Sequence, residues 1–313
     1  MAYPIDRKLV IAVSSSALFD LTEANGIFER QGVKAYKGYQ VRNLDVPLDK
    51  GVAFPFIERF LQINEAFPER QPVEVVLLSK NSALTGNRVF KSIKHYGLNI
   101  SRAAFLEGKS PYKYIPAFNV SLFLSANRDD VLNAISEGYP AGIVLPNNAS
   151  INPESGELRI AFDFDGVIAD DGAEIVYSKT KNLSDYHAHE EENSHLPLGR
   201  GLLADLFMKL AFMQKLEDRK FQKDPTYQKI IRTSIVTARN APAHERMINT
   251  LENWGGVGAN ETFFLGGMSK ERILSVLKPH IFFDDQTSHL EFDTENTALV
   301  HIPFGIANSK SEK

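Results

Sequence analysis

Ile160-Ala-Phe-Asp-Phe-Asp-Gly-Val-Ile168 is the stretch on which the fold turns. An apolar run ends in two aspartates, Asp163 and Asp165, and a glycine follows. Alternate residues of a strand share a face, so a buried strand that stops here presents both carboxylates where the chain bends. One carboxylate can attack phosphorus while the other moves a proton. Carboxylates with a backbone carbonyl also suit a hard cation such as Mg²⁺. An Asp-x-Asp pair alone carries little weight, because it also occurs in calcium loops; the residues that follow it in fixed order give it meaning.

Those residues are Thr237, Lys270, and Asp284 with Asp285. Thr237 ends Ser234-Ile-Val-Thr237, the aspartate pair ends Ile281-Phe-Phe, and Lys270 opens a helical pattern. In an open parallel sheet the carboxyl ends of the strands face one crevice, where ligands bind. A phosphate monoester dianion repels nucleophiles, so its charge must be neutralised before a carboxylate approaches. The expected roles follow from this. Asp163 attacks phosphorus, and Asp165 protonates the leaving oxygen and then activates water. Asp163, the Asp165 carbonyl and one of Asp284 or Asp285 hold Mg²⁺. Thr237 donates to a phosphoryl oxygen, and Lys270 supplies a point charge. Arg239 pairs with a carboxylate or phosphate, or forms a surface salt bridge. Taken singly, each reads equally well as a cap, a strand end or a surface lysine; their order at sheet edges favours chemistry.

The chain also repeats itself. Leu9-Val-Ile-Ala-Val-Ser-Ser-Ser-Ala-Leu18 matches Leu158-Arg-Ile-Ala-Phe-Asp-Phe-Asp-Gly-Val167 at an offset of 149 residues. Val46-Pro-Leu-Asp-Lys-Gly51 matches Leu196-Pro-Leu-Gly-Arg-Gly201, offset 150, and Val76-Leu-Leu-Ser79 matches Ser234-Ile-Val-Thr237, offset 158. Phe105-Leu-Glu-Gly108 and Leu122-Phe-Leu-Ser-Ala126 match Phe264-Leu-Gly-Gly267 and Ile281-Phe-Phe-Asp-Asp285, offset 159. Collinear matches with a slowly growing offset indicate an α/β protein of two diverged halves, 1–150 and 151–313. Alternating strands and helices imply Rossmann-like parallel sheets in both. In the second half the strands are expected near 158–163, 232–237, 262–265, 281–284 and 297–301, and helices near 201–216, 241–254 and 270–277, with Pro242 inside a first helical turn. A polar insert, about 171–200, reads as a small cap. Ser14, Ser16, Ser79, Pro111, Ser125 and Ala126 stand in the first half where the second has its aspartates, threonine and lysine, so only the second half is expected to react.

Composition narrows the class further. The chain has 313 residues, 43% of them hydrophobic, and a net charge of −4, which argues against binding to nucleic-acid polymers. It has no cysteine, which excludes disulfides and thiolate metal sites and fits a reducing compartment. No signal-peptide pattern or spanning apolar run is seen, so no membrane is expected.

Phe162-Asp-Phe-Asp-Gly-Val167, Val236-Thr-Ala-Arg239, Lys270 and Phe283-Asp-Asp285 together resemble the four motifs of the haloacid dehalogenase superfamily of phosphotransferases. Ala12-Val-Ser-Ser-Ser-Ala-Leu-Phe-Asp20, Ala53-Phe-Pro-Phe56, Ile93-Lys-His-Tyr96 and Pro279-His-Ile-Phe-Phe-Asp-Asp-Gln286 are similar to the type I cytosolic 5′-nucleotidases, over nearly the whole chain. That family's first motif reads Asp-Gly-Asp-Ala, whereas here it is Asp-Phe-Asp-Gly; both aspartates survive. The resemblance implies a cytoplasmic, Mg²⁺-dependent phosphatase of nucleoside 5′-monophosphates, AMP and deoxynucleotides among them, working through an aspartyl-phosphate. Thr237, Ala238, Arg239 and Lys270 are then expected at the substrate. Phe164 faces either the nucleoside or a second layer. The insert reads as a lid over the site; in it His187, His189 and His195 read as a metal cluster or as a solvated, charged loop, with His189 and Asn193 the better candidates for ligand contact. Oligomeric state is open, a homo-oligomer included. Rival readings are a phosphatase for another small ester, a phosphotransferase acting on nucleosides, and a nucleotide-binding regulator without turnover.

Overall fold

A computed structural model describes residues 4–147, 156–172, 175, 182–306 and 308. The chain divides into two compact units, Met1–Ser150 and Ile151–Lys313. The first holds β1 (Leu9–Val13), β2 (Val73–Ser79), β3 (Arg102–Phe105), β4 (Val120–Ser125) and β5 (Ala141–Val144). Their order is β3-β2-β1-β4-β5, with every pairing parallel. All but the edge strand β3 are buried along their length. Continuous apolar runs such as Leu-Val-Ile-Ala-Val are what a parallel sheet covered on both faces requires.

Five helices flank these strands: α1 (Ser15–Leu18), α2 (Thr22–Arg42), α3 (Phe54–Ala66), α4 (Ala83–His95) and α5 (Arg128–Ser136). Local chemistry sets their starts. Ser14 accepts from the Ala17 amide, Ser82 and Thr85 cap each other reciprocally, and Asn127 accepts from the Asp130 amide. Gly32, at φ +78°, interrupts α2. Phe54, Phe56 and Phe60 of α3 are fully buried, and α3 packs on β2.

The second unit repeats the plan. Its strands are β6 (Leu158–Phe162), β7 (Ile231–Thr237), β8 (Glu261–Phe264), β9 (Ile281–Asp284) and β10 (Ala298–His301). They run parallel in the order β8-β7-β6-β9-β10. Each lies within one residue of its expected bounds at either end. The helices are α6 (Leu183–Glu192), α7 (Ala204–Lys223), α8 (His244–Asn253) and α9 (Glu271–Leu277). Phe162 stacks on Phe283 at 5.2 Å and meets Phe207 edge-on at 5.6 Å, tying β6, β9 and α7 into one core.

Three expectations need correction. α7 runs to Lys223, well past 216, because its polar tail is anchored by one buried carboxylate. Glu217 accepts hydrogen bonds from the Ile230 and Ile231 amides and the Tyr227 hydroxyl. Pro242 lies ahead of α8, whose N-cap is Ala243, and not inside its first turn; the Ala243 carbonyl accepts from the Arg239 guanidinium. The insert contains the helix α6, so it is more than a solvated loop; residues 173, 174 and 176–181 of the insert lie outside the described residues.

Backbone bonds recur between the units. The Gly51 amide donates to the Leu18 carbonyl and Gly201 to Ile168; Ala53 donates to Ala17 and Leu203 to Val167. A Cβ on Gly51 would lie 2.7 Å from the Ala17 oxygen, and one on Gly201 2.5 Å from the Ala169 oxygen. Glycine is therefore needed in both places. These pairs keep an offset of 150, but just upstream the offset is 149: the Ser14 amide donates to Leu124, and the Asp163 amide to Phe283. The second unit thus uses one more residue between its first strand and the following turn. Gly166, at φ +73°, lies in that longer link.

Candidate active site

The carboxyl ends of β6, β7 and β9 bring the expected residues together. Asp163 follows β6 directly; its amide donates to the Phe283 carbonyl, which locks it beside β9. Its Oδ1 accepts from the Phe164 amide at 2.7 Å. Its Oδ2 lies 2.7 Å from the Lys270 ammonium, which also donates to Asp284 Oδ2 at 2.6 Å. Lys270 is the N-cap of α9 and is buried, not a surface lysine. The Asp284 Oδ1 atom accepts from the Gln286 amide at 2.9 Å and meets His289 Nδ1 at 3.1 Å.

These contacts set the ionisation of the group. Burial pushes the Asp163 carboxyl up to about 7; Lys270 pulls against that, and Asp284 adds repulsion. Burial acts on Asp284 in the same sense, but Lys270 and His289 outweigh it and hold that carboxyl below its usual range. Burial would lower the Lys270 value; the two carboxylates more than offset it and keep the ammonium charged.

Asp163, Asp284 and His289 each place a ligand atom within 4.8 Å of the others, a spacing that a metal ion can bridge. Asp285, also buried, lies over the turn after Asp165: a Cβ on Gly166 would sit 2.6 Å from the Asp285 Cγ and Oδ2. The carboxylates of Asp163 and Asp284 share one ammonium, leaving an excess of negative charge. That donor set suits a hard divalent cation.

Asp165 is held differently. Arg239 clamps it with two bonds of 2.7 Å, Nε to Oδ2 and Nη2 to Oδ1. The same guanidinium donates to the Ala243 carbonyl at 2.9 Å and to Glu190 Oε2. Its side chain is 1% exposed, so of the two readings open for Arg239 the structure has the carboxylate pairing and not the surface one. Burial would lower its pKa, but Asp165 outweighs that and raises it. Phe164 has a fully buried ring, 5.5 Å beneath Arg239, with no face exposed to a ligand.

Thr237 ends β7, and its hydroxyl accepts from the Arg239 amide at 3.2 Å; Ala238 between them is exposed. His189 and Asn193 engage each other at the end of α6, with Asn193 Nδ2 2.7 Å from the His189 carbonyl. Among the described residues no hydrogen bond ties them to the carboxylates. His187 instead meets Asn240 Oδ1 at 2.9 Å, next to Arg239. Sequence reasoning passed over His289 and Glu190. His289 belongs to no strand-end pattern. Glu190 had one usable signal: it stands 150 residues after Gln40, the offset of the neighbouring repeat.

Comparison with known proteins bears on this geometry. The family described as 5′-nucleotidase matches residues 1–309. Cytosolic 5′-nucleotidase 1B of Homo sapiens is 33% identical over 289 residues, covering 90% of this chain and 47% of the human protein. The chain thus spans about half the length of that curated relative. No solved structure matches it significantly.

Proposed function

The chain belongs to the 5′-nucleotidase family, and from that premise we propose that it hydrolyses nucleoside 5′-monophosphates to nucleosides and phosphate. The observation that carries this reading is the convergence of Asp163, Lys270 and Asp284 at buried strand ends. An Asp163 carboxylate oxygen attacks phosphorus. The bond from phosphorus to the nucleoside 5′-oxygen breaks, and that oxygen takes its proton from Asp165. Water then attacks the aspartyl-phosphate, giving a proton to Asp165; phosphate leaves and the Asp163 carboxylate is restored. Thr237, the Ala238 amide and Lys270 bind phosphoryl oxygens. Mg²⁺ fits the excess of carboxylates, held by Asp163, the Asp165 carbonyl and the Asp284–Asp285 pair, and when bound it neutralises phosphate charge. His189 and Asn193 are assigned to the nucleoside side, on the insert acting as a cap.

The same strand order and recurring backbone bonds support two HAD-like units, 1–150 and 151–313, that arose by duplication, the first without catalytic carboxylates. A cytoplasmic setting is proposed from the relative's name; no helix among the described residues is long and apolar enough to cross a membrane.

A panel of phosphate esters, scored for released phosphate with and without EDTA, tests the reading. Nucleoside 5′-monophosphates are expected to be preferred, and chelation to stop release until Mg²⁺ is returned. Asp163→Asn should lose at least about a thousandfold in rate, roughly 4 kcal/mol of barrier, with an unchanged circular dichroism spectrum. Near-normal release by that variant removes the nucleophile assignment. Preference for a non-nucleotide ester replaces the substrate.

A further inference from the structure

Glu190 is fully buried, although Glu191 and Glu192 beside it on α6 are exposed. Its carboxylate joins two arginines, Arg239 Nη1 at Oε2 and Arg246 Nη1 at Oε1, the latter at 2.7 Å. Arg239 uses its remaining nitrogens on Asp165. Asp165, Arg239, Glu190 and Arg246 therefore form one chain of alternating, mutually cancelling charge. Buried charges persist only with such partners.

The first unit supplies an internal control. There Arg88 stands as Arg246 does: Nε donates to the Val46 carbonyl at 2.9 Å, as Arg246 Nε does to Leu196 at 2.9 Å. Arg88 Nη1 then meets Gln40 Oε1 at 3.3 Å, with Gln40 buried where Glu190 is. The hydroxyls that brace the two arginines also correspond. Ser92 and Thr250 donate to the Arg88 and Arg246 carbonyls and accept from the Leu48 and Leu198 amides. A neutral amide is thus enough to tie these helices together. What the second unit adds is the negative charge on Glu190, and with it Arg239 where the first unit has Asn81, and Asp165 where it has Ser16.

We infer that Glu190 is a positioning residue: it anchors Arg239, and through Arg239 sets where the Asp165 carboxylate points. The inference rests on the reading of Asp165 as proton donor to the leaving oxygen. A carboxylate that moves a proton must meet the leaving atom within hydrogen-bond reach. The clamp on Asp165 is only as well placed as the guanidinium that forms it.

The test is Glu190→Gln, the residue the first unit already accommodates, assayed on a nucleoside 5′-monophosphate and on its analogue with sulfur bridging the 5′-carbon and phosphorus. A thiolate leaves without a proton, whereas the oxygen needs one. The measured quantity is kcat/KM, which reports the steps up to loss of the nucleoside. Glu190→Gln is expected to lower it about tenfold or more for the oxygen ester and less than about threefold for the sulfur analogue, with thermal unfolding confirming a folded chain. Equal losses on both, or none, overturn the inference and leave Glu190 a purely structural residue. Asp165→Asn, run alongside, must show the same selectivity; if it loses both esters equally, the proton-donor reading fails and takes the inference with it. Should Glu190→Gln not fold, Glu190→Asp keeps the charge but shortens its reach, and the same ratio of the two substrates decides.

Discussion

Gly166 shows how closely the backbone and the carboxylates are fitted. Its φ of +73° is a conformation that costs an L-residue about 1–2 kcal/mol. The space a Cβ would need is filled by the Asp285 carboxylate at 2.6 Å. Gly166→Ala must therefore displace either the turn after Asp165 or Asp285. A shift of about 1 Å at such a site can cost on the order of a hundredfold in rate, so turnover should fall by about that much while stability falls by about 1–2 kcal/mol, read from phosphate release and thermal unfolding. Normal turnover would show that Asp285 is free to move. Asp163, Lys270 and Asp284, which the structure brings into contact, could be picked out in the sequence because each ends or opens a periodic element, and periodicity reports position. Arg239 was visible but its partner was not: a separation of 74 residues from Asp165 hides a contact made by β6–β7 pairing. His289 belongs to no strand-end pattern, and Glu190, buried between two arginines, stands in a run of polar residues that hides it apart from its repeat offset.

Elements were read well where apolar spacing is strong and poorly where polar chemistry holds them. All five strands of the second unit were placed within a residue at each end; β9 and β10 are buried throughout and β6 and β7 at all but one residue, so that each reads as a bounded apolar run, while β8, with no buried residue, was placed from its Thr-Phe-Phe. The end of α7 and the existence of α6 were missed, because Glu-Asp-Arg-Lys and His-Glu-Glu-Glu look solvated. In α7 the hidden anchor is Glu217, whose carboxyl is pushed upward in pKa by burial against its three hydrogen bonds. Glu217→Ala leaves the Ile230 and Ile231 amides without that acceptor at the entry to β7. A buried donor without a partner costs about 1–3 kcal/mol, so the variant should lose about 2–4 kcal/mol in urea denaturation, with an unchanged denaturant slope. A loss below about 0.5 kcal/mol would mean that water replaces the carboxylate.

At the scale of the whole molecule, two units share one strand order and differ in what stands at the strand ends. The first unit fills those positions with a hydroxyl network: Ser15 meets Ser79 at 2.9 Å, Asn81 donates to Ser15 at 3.1 Å, and Ser14 caps α1. The second fills them with charge. The sequence offsets agree with the like strand order and the recurring glycine turns of the two units. They did not reveal the ion chain, whose counterpart in the first unit keeps only the arginine, Arg88, with Gln40, Asn81 and Ser16 in the other places. The extra residue between β6 and its turn has a further consequence. The two units differ there in length as well as in residue identity, so point changes alone cannot convert one into the other. A first unit given the second's aspartates and lysine, on an Asp163→Asn background, is expected to stay silent in a phosphate-release assay until a residue is also inserted after Ser16. On the duplication proposed above, the first unit is behind a one-way gate: losing reactivity takes a single substitution, and regaining it takes an insertion in the right place.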